Sequence, residues 1–346
     1  MIKTYPYKKA IIILGGVHAT ADPYGVDKVF DKVLSGEGEQ VMIEILEDIK
    51  NNVDKRYYQC HSFIKDIDSI PFPARHLLPK ESIISYTSTI KGEASTTIIG
   101  SRGCPYNCAF CASKIMWNRR VRFRNPDNII AEIKELIEKY GVSHFRFQDD
   151  TLGAKPTWII ELCKKMIPLD ITWRGTTRVD CSPKDILQAM KDAGCYEIAY
   201  GIETLEDEIL ELNNKQITNE QIQEAVYTAK EVGLKTRLFF MIGLPGQGIN
   251  IADEIIAFIK ECKPTAVNLS TFVPLPGSDI YNNPSKYNIE IIEKDWHNYI
   301  MSKGLYGTET EDDFIFKHDK LTNEELKFSR KKLLEYFDEH NLVYNR

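Results

Sequence analysis

Between residues 96 and 274 the chain alternates six short β-branched or aromatic runs with amphipathic helical stretches, and this alternation limits the fold more than any other feature. The runs are TTIIGS (96–101), HFRFQD (144–149), ITWRGTTR (171–178), EIAYGIE (197–203), KTRLFFMIGLP (235–245) and AVNLSTFVP (266–274). After Asn125 as cap and Pro126 at the first helical position, Ile129, Ile130, Ile133, Leu136, Ile137 and Tyr140 keep helical spacing until Gly141. Ser182-Pro183 opens a helix ending at Gly194, and Thr204 with Asp207 and Thr218 with Gln221 read as capping boxes. Strands joined by helices require right-handed crossovers, so the pattern predicts a curved parallel sheet. Six units fall short of the eight of a closed barrel, and periodicity alone does not say whether the sheet closes.

Composition narrows the function classes. At 346 residues and 43% hydrophobic content the chain can bury one large core, with or without appendages. It has no apolar window of membrane-spanning length, and the early run AIIILGG is short and lacks a small-residue cleavage site, so a cytoplasmic location is expected and a membrane role is not. A net charge of −6 does not give the basic footprint of a nucleic-acid binder, and the local cluster NRRVRFR (118–124) is assigned no role. Of the eight cysteines, Cys60, Cys163, Cys181, Cys195 and Cys262 are scattered and read as packed thiols.

The remaining three, Cys104, Cys108 and Cys111, lie in SRGCPYNCAFCAS directly after the first strand. That is the carboxyl edge of the sheet, where parallel α/β folds place their sites. Structural zinc would need a fourth ligand, and the nearest histidines in sequence, His76 and His144, are remote. An iron–sulfur cubane on three thiolates would leave one iron open to a small molecule.

CPYNCAFC resembles the CxxxCxΦC pattern of the radical S-adenosylmethionine (radical SAM) enzymes, with Phe110 as the aromatic before the last cysteine. The resemblance implies an α/β fold, a partial (β/α)6 TIM-like barrel, with a 4Fe-4S cluster whose open iron chelates S-adenosylmethionine. It further implies that the reduced cluster cleaves the sulfonium to a 5′-deoxyadenosyl radical, which takes hydrogen from a small-molecule substrate, with electrons from an external donor such as flavodoxin or ferredoxin. Asp149 and Asp150 in FQDDT match a carboxylate position that receives the methionine ammonium, or are solvated or capping acids before Pro156. Arg178 is matched to the methionine carboxylate, or is paired with Asp180 or Glu203. Glu203 in YGIET is matched to the ribose or amine of the cofactor. Gly243 and Pro245 in MIGLPGQ are matched to backbone approaching adenine, or form a simple turn, and Phe110 is expected to shape the adenine end.

ILGGVHAT and VLSGEGEQ resemble the last third of the cobalamin-binding domain that precedes many radical SAM methylases and cyclases. The expected organisation is a fragmentary Rossmann-like α/β segment (1–58), a strap (59–95), the barrel (96–283) and a helical extension (284–346). In the extension Thr322 and Glu325 read as a capping box stapled by Leu321 and Leu326. The DxHxxG segment has no counterpart, so cobalamin is expected to be held poorly by this chain alone. Unpaired strand edges in the N-terminal segment call for a partner chain or a second copy. Alternatives are a cobalamin-dependent methylase and a non-catalytic iron–sulfur protein for electron transfer or sensing.

Overall fold

A computed structural model describes residues 10–85, 94–293, 295–299, 301 and 314–342. The parts of the expected segments at 1–9, 86–93, 294, 300, 302–313 and 343–346 lie outside the described residues. The N-terminal piece is a parallel sheet of β1 (Ile13–Leu14), β2 (Lys32–Ser35) and β3 (Tyr57–Gln59), with α1 (Val17–Ala21) and α2 (Gly38–Lys50) in the crossovers. Val41 and Ile45 of α2 are buried in one cluster with Leu34 and Tyr58, whereas Leu46 is 56% exposed, so the apolar stripe is wider than the face the sheet covers. The strap follows, with the short α3 (Lys80–Ile83).

The barrel begins at β4 (Ser95–Ile98). A hairpin of β5 (Ser101–Arg102) and β6 (Arg122–Phe123) encloses the cysteine loop and α4 (Ser113–Trp117). Then α5 (Pro126–Tyr140), β7 (His144–Phe147), α6 (Pro156–Met166), β8 (Thr172–Thr177), α7 (Lys184–Asp192), β9 (Cys195–Glu203), α8 (Asp207–Leu212), α9 (Asn219–Glu231), β10 (Lys235–Ile242), α10 (Ile251–Cys262) and β11 (Ala266–Thr271) complete it. All six long-sheet strands are parallel and sit in chain order, β4-β7-β8-β9-β10-β11. The sheet is a curled half-barrel, as expected, and among the described residues it does not close.

Its edges are managed locally. Ser85 exchanges backbone hydrogen bonds with Ser95 on β4, and Val267 and Thr271 of β11 donate to the carbonyls of Leu342 and Met301. Alternate residues separate the two faces. Phe145, Phe147, Trp173, Tyr200 and Phe240 are fully buried in the main core with the helix residues Ile133, Leu162 and Leu187, and Arg174 and Thr176 take the other, half-buried face of β8.

After α11 (Asp279–Asn282) the chain pairs β12 (Glu290–Ile291) with β13 (Phe316–Lys317) and ends in α12 (Asn323–Glu339). The capping boxes at Thr218 and Thr322 form as expected, and Leu321 and Leu326 are buried in the same core. The one at Thr204 does not. Helix α8 starts from Glu206, and the Asp207 carboxylate instead accepts the Asn219 N–H at 2.7 Å, at the start of the next helix. None of the described helices is long and apolar enough to cross a membrane.

Candidate cofactor site at the carboxyl edge of the sheet

The cysteine loop is pinned from several sides. Asp149, at the end of β7, is fully buried and accepts the Gly100 N–H at 3.0 Å and the Ser101 hydroxyl at 2.5 Å. Burial pushes its carboxyl up to about 6 against the pull of those hydrogen bonds. Gly103 has φ +101, and a Cβ there would lie 2.0 Å from the Arg120 carbonyl, so the hairpin closes only over glycine. From the N-terminal sheet, buried Glu37 takes Arg102 at 3.0 Å, Arg122 at 2.7 Å and the Ile64 N–H at 2.9 Å. The basic cluster left without a role thus supplies an anchor: Arg122 meets Glu37, while Arg124 meets buried Glu132 at 2.6 Å.

Cys108 is buried, and Cys104 and Cys111 are half-buried. Cys104 Sγ lies 3.4 Å from the Thr151 hydroxyl, Cys111 Sγ accepts the Ser113 N–H at 3.4 Å, and Arg178 Nη1 donates to Cys108 Sγ at 3.8 Å. Burial raises the Cys111 thiol to about 11, and the other two cysteines add to the rise. Burial also raises Cys108, while Lys215 and Arg178 pull it down. The three thiols therefore feel one another's charge. Yet among the described residues no three His, Cys, Asp or Glu side chains are gathered for a single metal ion. The donor set of three soft thiols with two nearby cations fits a group that spreads its ligands over several metal atoms and carries negative charge.

Arg178 leaves β8 with its fork committed. Nε and Nη2 donate to Asp180 at 2.9 and 3.1 Å, Nη2 also reaches the Lys215 carbonyl at 2.7 Å, and the guanidinium lies 3.6 Å from the Tyr106 ring centroid. Tyr106, inside the cysteine loop, is in turn 3.0 Å from Cys181 Sγ. The carboxylate that Arg178 meets is therefore Asp180, and only Nη1 is turned to the cysteines.

Glu203 ends β9 at φ +71, a conformation costly for a residue with a Cβ. Its carboxylate meets Lys215 Nζ at 3.2 Å, and that ammonium, itself buried, stands 5.8 Å from the Phe110 ring centroid. Phe110, Cys111 and Glu203 share a cavity of about 490 Å³ that is otherwise mostly apolar, with Phe239, Met241, Leu269, Phe272 and Met301 in its walls. Asp150 lies beside the loop, 3.4 Å from the Ser113 hydroxyl, and burial raises its carboxyl.

Asp149, Gly243 and Pro245 have contacts of their own in the fold. Both oxygens of Asp149 are used by the loop that carries the cysteines, which leaves Asp150 as the carboxylate of that pair on the site side. Gly243, with φ +89, and Pro245 are buried away from the cavity walls. A Cβ on Gly243 would meet Phe316 at 3.1 Å, its N–H donates to Gln247 Oε1 at 2.8 Å, and the Pro245 carbonyl accepts from Asn213 at 3.3 Å. The turn is held by Gln247, which also takes the Leu244 N–H and donates to the Met241 carbonyl. Sequence reasoning missed Tyr106, Thr151, Lys215 and Gln247, since none sits in a periodic or spaced pattern that marks it.

An open, all-parallel half-barrel with three cysteines on the loop after its first strand defines a class of cofactor-dependent α/β domain. Residues 98–259 match the Radical SAM superfamily, so this stretch is a radical SAM domain. It is 29% identical over 311 residues to an uncharacterized methyltransferase of Pyrococcus horikoshii, covering 84% of this chain and 66% of the relative. It is 27% identical to the anaerobic magnesium-protoporphyrin IX monomethyl ester cyclase of Rubrivivax gelatinosus, covering 84% of this chain and 56% of the relative. The chain thus spans between about half and two thirds of these relatives' length. Its fold is similar to the radical S-adenosylmethionine methyltransferase TsrM of Kitasatospora setae, solved with cobalamin and a [4Fe-4S] cluster bound, at a TM-score of 0.63 and 14% identity over 93% of this chain and 64% of that one.

Proposed function

We propose that this chain is a radical SAM enzyme in which Cys104, Cys108 and Cys111 hold a 4Fe-4S cluster beside S-adenosylmethionine, next to a small-molecule substrate. The observation that carries the reading is that Phe110 and Cys111 of the cysteine loop line the same cavity as Glu203 of β9. When bound, the cluster and S-adenosylmethionine supply a primary-carbon radical able to take hydrogen from an unactivated position. The protein's part is to bind, orient and shield. Arg178 and Lys215 offset the thiolate charge, and Arg178 also braces the loop through Tyr106. Glu203, held by Lys215, is placed to accept hydrogen bonds from a ribose or an amine, and Asp150 to receive an ammonium. Phe110 gives an aromatic wall for adenine, and the apolar side chains of the cavity exclude water from the substrate. An external one-electron donor completes the set.

A second reading, a cobalamin-dependent methyltransferase, has one observation in its favour. A cavity of about 570 Å³ lies at the carboxyl ends of β2 and β3, lined by Gly36, Tyr58, Cys60 and His61, and it is bounded by Ile115 and Met116 of α4, next to the cysteine loop. Anaerobically reconstituted protein is expected to bind one cluster and form 5′-deoxyadenosine slowly under strong reductant. No 5′-deoxyadenosine would sink the enzyme reading. A brown chromophore retained in Cys108→Ala would contradict the ligand set, unchanged cofactor affinity in Glu203→Gln would remove that residue from the site, and stoichiometric retention of hydroxocobalamin would favour the second reading.

A further inference from the structure

The lumen of the half-barrel below the cofactor site carries a charge that the reading above does not use. Strand alternation turns Arg146 of β7, Arg174 of β8, Glu197 of β9, Arg237 of β10 and Asn268 of β11 to one side, where they line a cavity of about 220 Å³. The register sets Arg146 beside Arg174 and Arg174 beside Glu197. Buried Glu197 takes Arg174 at 3.1 Å and Arg237 at 3.0 Å, and Arg237 also donates to Asn268 at 3.0 Å. Arg146 is solvent-accessible in the open lumen, and the amide oxygen of Gln148, oriented by hydrogen bonding, meets its Nε and Nη2 at 2.6 and 3.0 Å. Among the described residues Arg146 has no ion-pair partner, so the cavity sets three guanidiniums against one carboxylate, which pairs with Arg174 and Arg237. Partial desolvation, with Arg174 and Arg237 adding to it, holds Arg146 below the usual guanidinium range. His144 adds no further positive charge near neutral pH, because burial and Arg174 bring it down to about 4.

This polar cavity continues into the apolar one. Phe239 and Asn268 line both, so a molecule lying along the inner face would have an oily middle near Glu203 and Cys111 and a cationic floor at Arg146 and Arg174. A lumen with an excess of one sign of charge concentrates the opposite sign, and the planar guanidinium fork matches a carboxylate or phosphate.

We infer that the substrate is an amphipathic molecule whose apolar body fills the upper cavity and whose terminal oxyanion, carboxylate or phosphate in type, is bound by Arg146 and Arg174. The inference rests on the reading of the upper cavity as substrate space. Its test uses 11-(dansylamino)undecanoic acid and its methyl ester, titrated by fluorescence into the full chain carrying its cluster. The acid is expected to bind about tenfold more tightly than the ester, the effect of one charge-assisted hydrogen bond. Arg146→Gln should remove most of that preference, and Arg146→Lys should keep part of it. Dodecanoate and dodecyl phosphate as competitors distinguish the two oxyanions, the better displacer identifying the end group. Equal affinity for acid and ester, no binding of the acid, no displacement by either competitor, or a preference untouched in Arg146→Gln would each overturn the inference. Substrate-free 5′-deoxyadenosine formation, measured on the same preparations, separates the two readings. Its loss with acid preference retained counts against the cofactor assignment, and the reverse counts against the oxyanion site.

Discussion

Replacing Glu37 with Gln tests how the N-terminal sheet positions the cysteine loop. The Glu37 side chain is only 1% exposed, and its two oxygens take Arg102, Arg122 and the Ile64 N–H. Breaking a fully buried ion pair costs about 3–5 kcal/mol, because the surviving charge is left without a partner. Two features place this case at the lower end. Arg122 and Arg102 keep 12% and 23% exposure, and Arg102 retains Glu39 at 2.5 Å. The expected loss is therefore about 3 kcal/mol, read as a fall in the urea midpoint at constant slope. If the effect runs through Arg122, the double variant with Arg122→Met should cost less than the sum of the singles by about 1–3 kcal/mol. Burial raises the Glu37 carboxyl, but Arg122, the Ile64 N–H and Arg102 outweigh it and hold the group below its ordinary value. Its stabilisation is thus present above about pH 4.5 and is lost as pH falls through the folded value, so the gap between wild type and variant should narrow on acidification. A variant within about 0.5 kcal/mol of wild type, the range of an ordinary surface change, or a strictly additive cycle would refute the anchoring role.

Asp149 gives the opposite pH sign: its folded carboxyl is raised from 3.8 to about 6, so stability relative to Asp149→Asn should fall by about 3 kcal/mol as pH rises from below 4 to above 6, and a pH-independent difference in denaturation would contradict this. Gly243→Ala should cost about 1–2 kcal/mol for the left-handed backbone alone, with more from the Phe316 contact, while leaving S-adenosylmethionine affinity unchanged. Weakened cofactor binding at unchanged stability would instead support that glycine's place at the adenine site. Lys215→Met leaves the Glu203 carboxylate without its cation and should destabilise by about 2–5 kcal/mol. Because Lys215 pulls the Cys108 thiol down, alkylation of that thiol in the cluster-free protein should shift to higher pH, and an unmoved profile would exclude the interaction.

Sequence alone determined the order and type of the six strand–helix units, because hydrophobic period, caps and glycine stops are local properties of the chain. Asn125, Gly141, Thr218 and Thr322 act in the structure where their spacing put them. It also determined that three cysteines leave the first strand together, since four- and three-residue spacings on one loop cannot separate them far. Tertiary structure decided which neighbours compete for each polar group. Thr204 lost its cap because Asp207 was taken by Asn219, the Arg178 fork went to Asp180, Asp149 was drawn to Gly100 and Ser101, and Gly243 met Phe316 from a segment more than seventy residues away. Lys215 against Glu203, and three arginines around Glu197, arise where the curled sheet brings strand ends and inner faces together. Partners distant in sequence leave no periodic trace, so only the folded chain could show them.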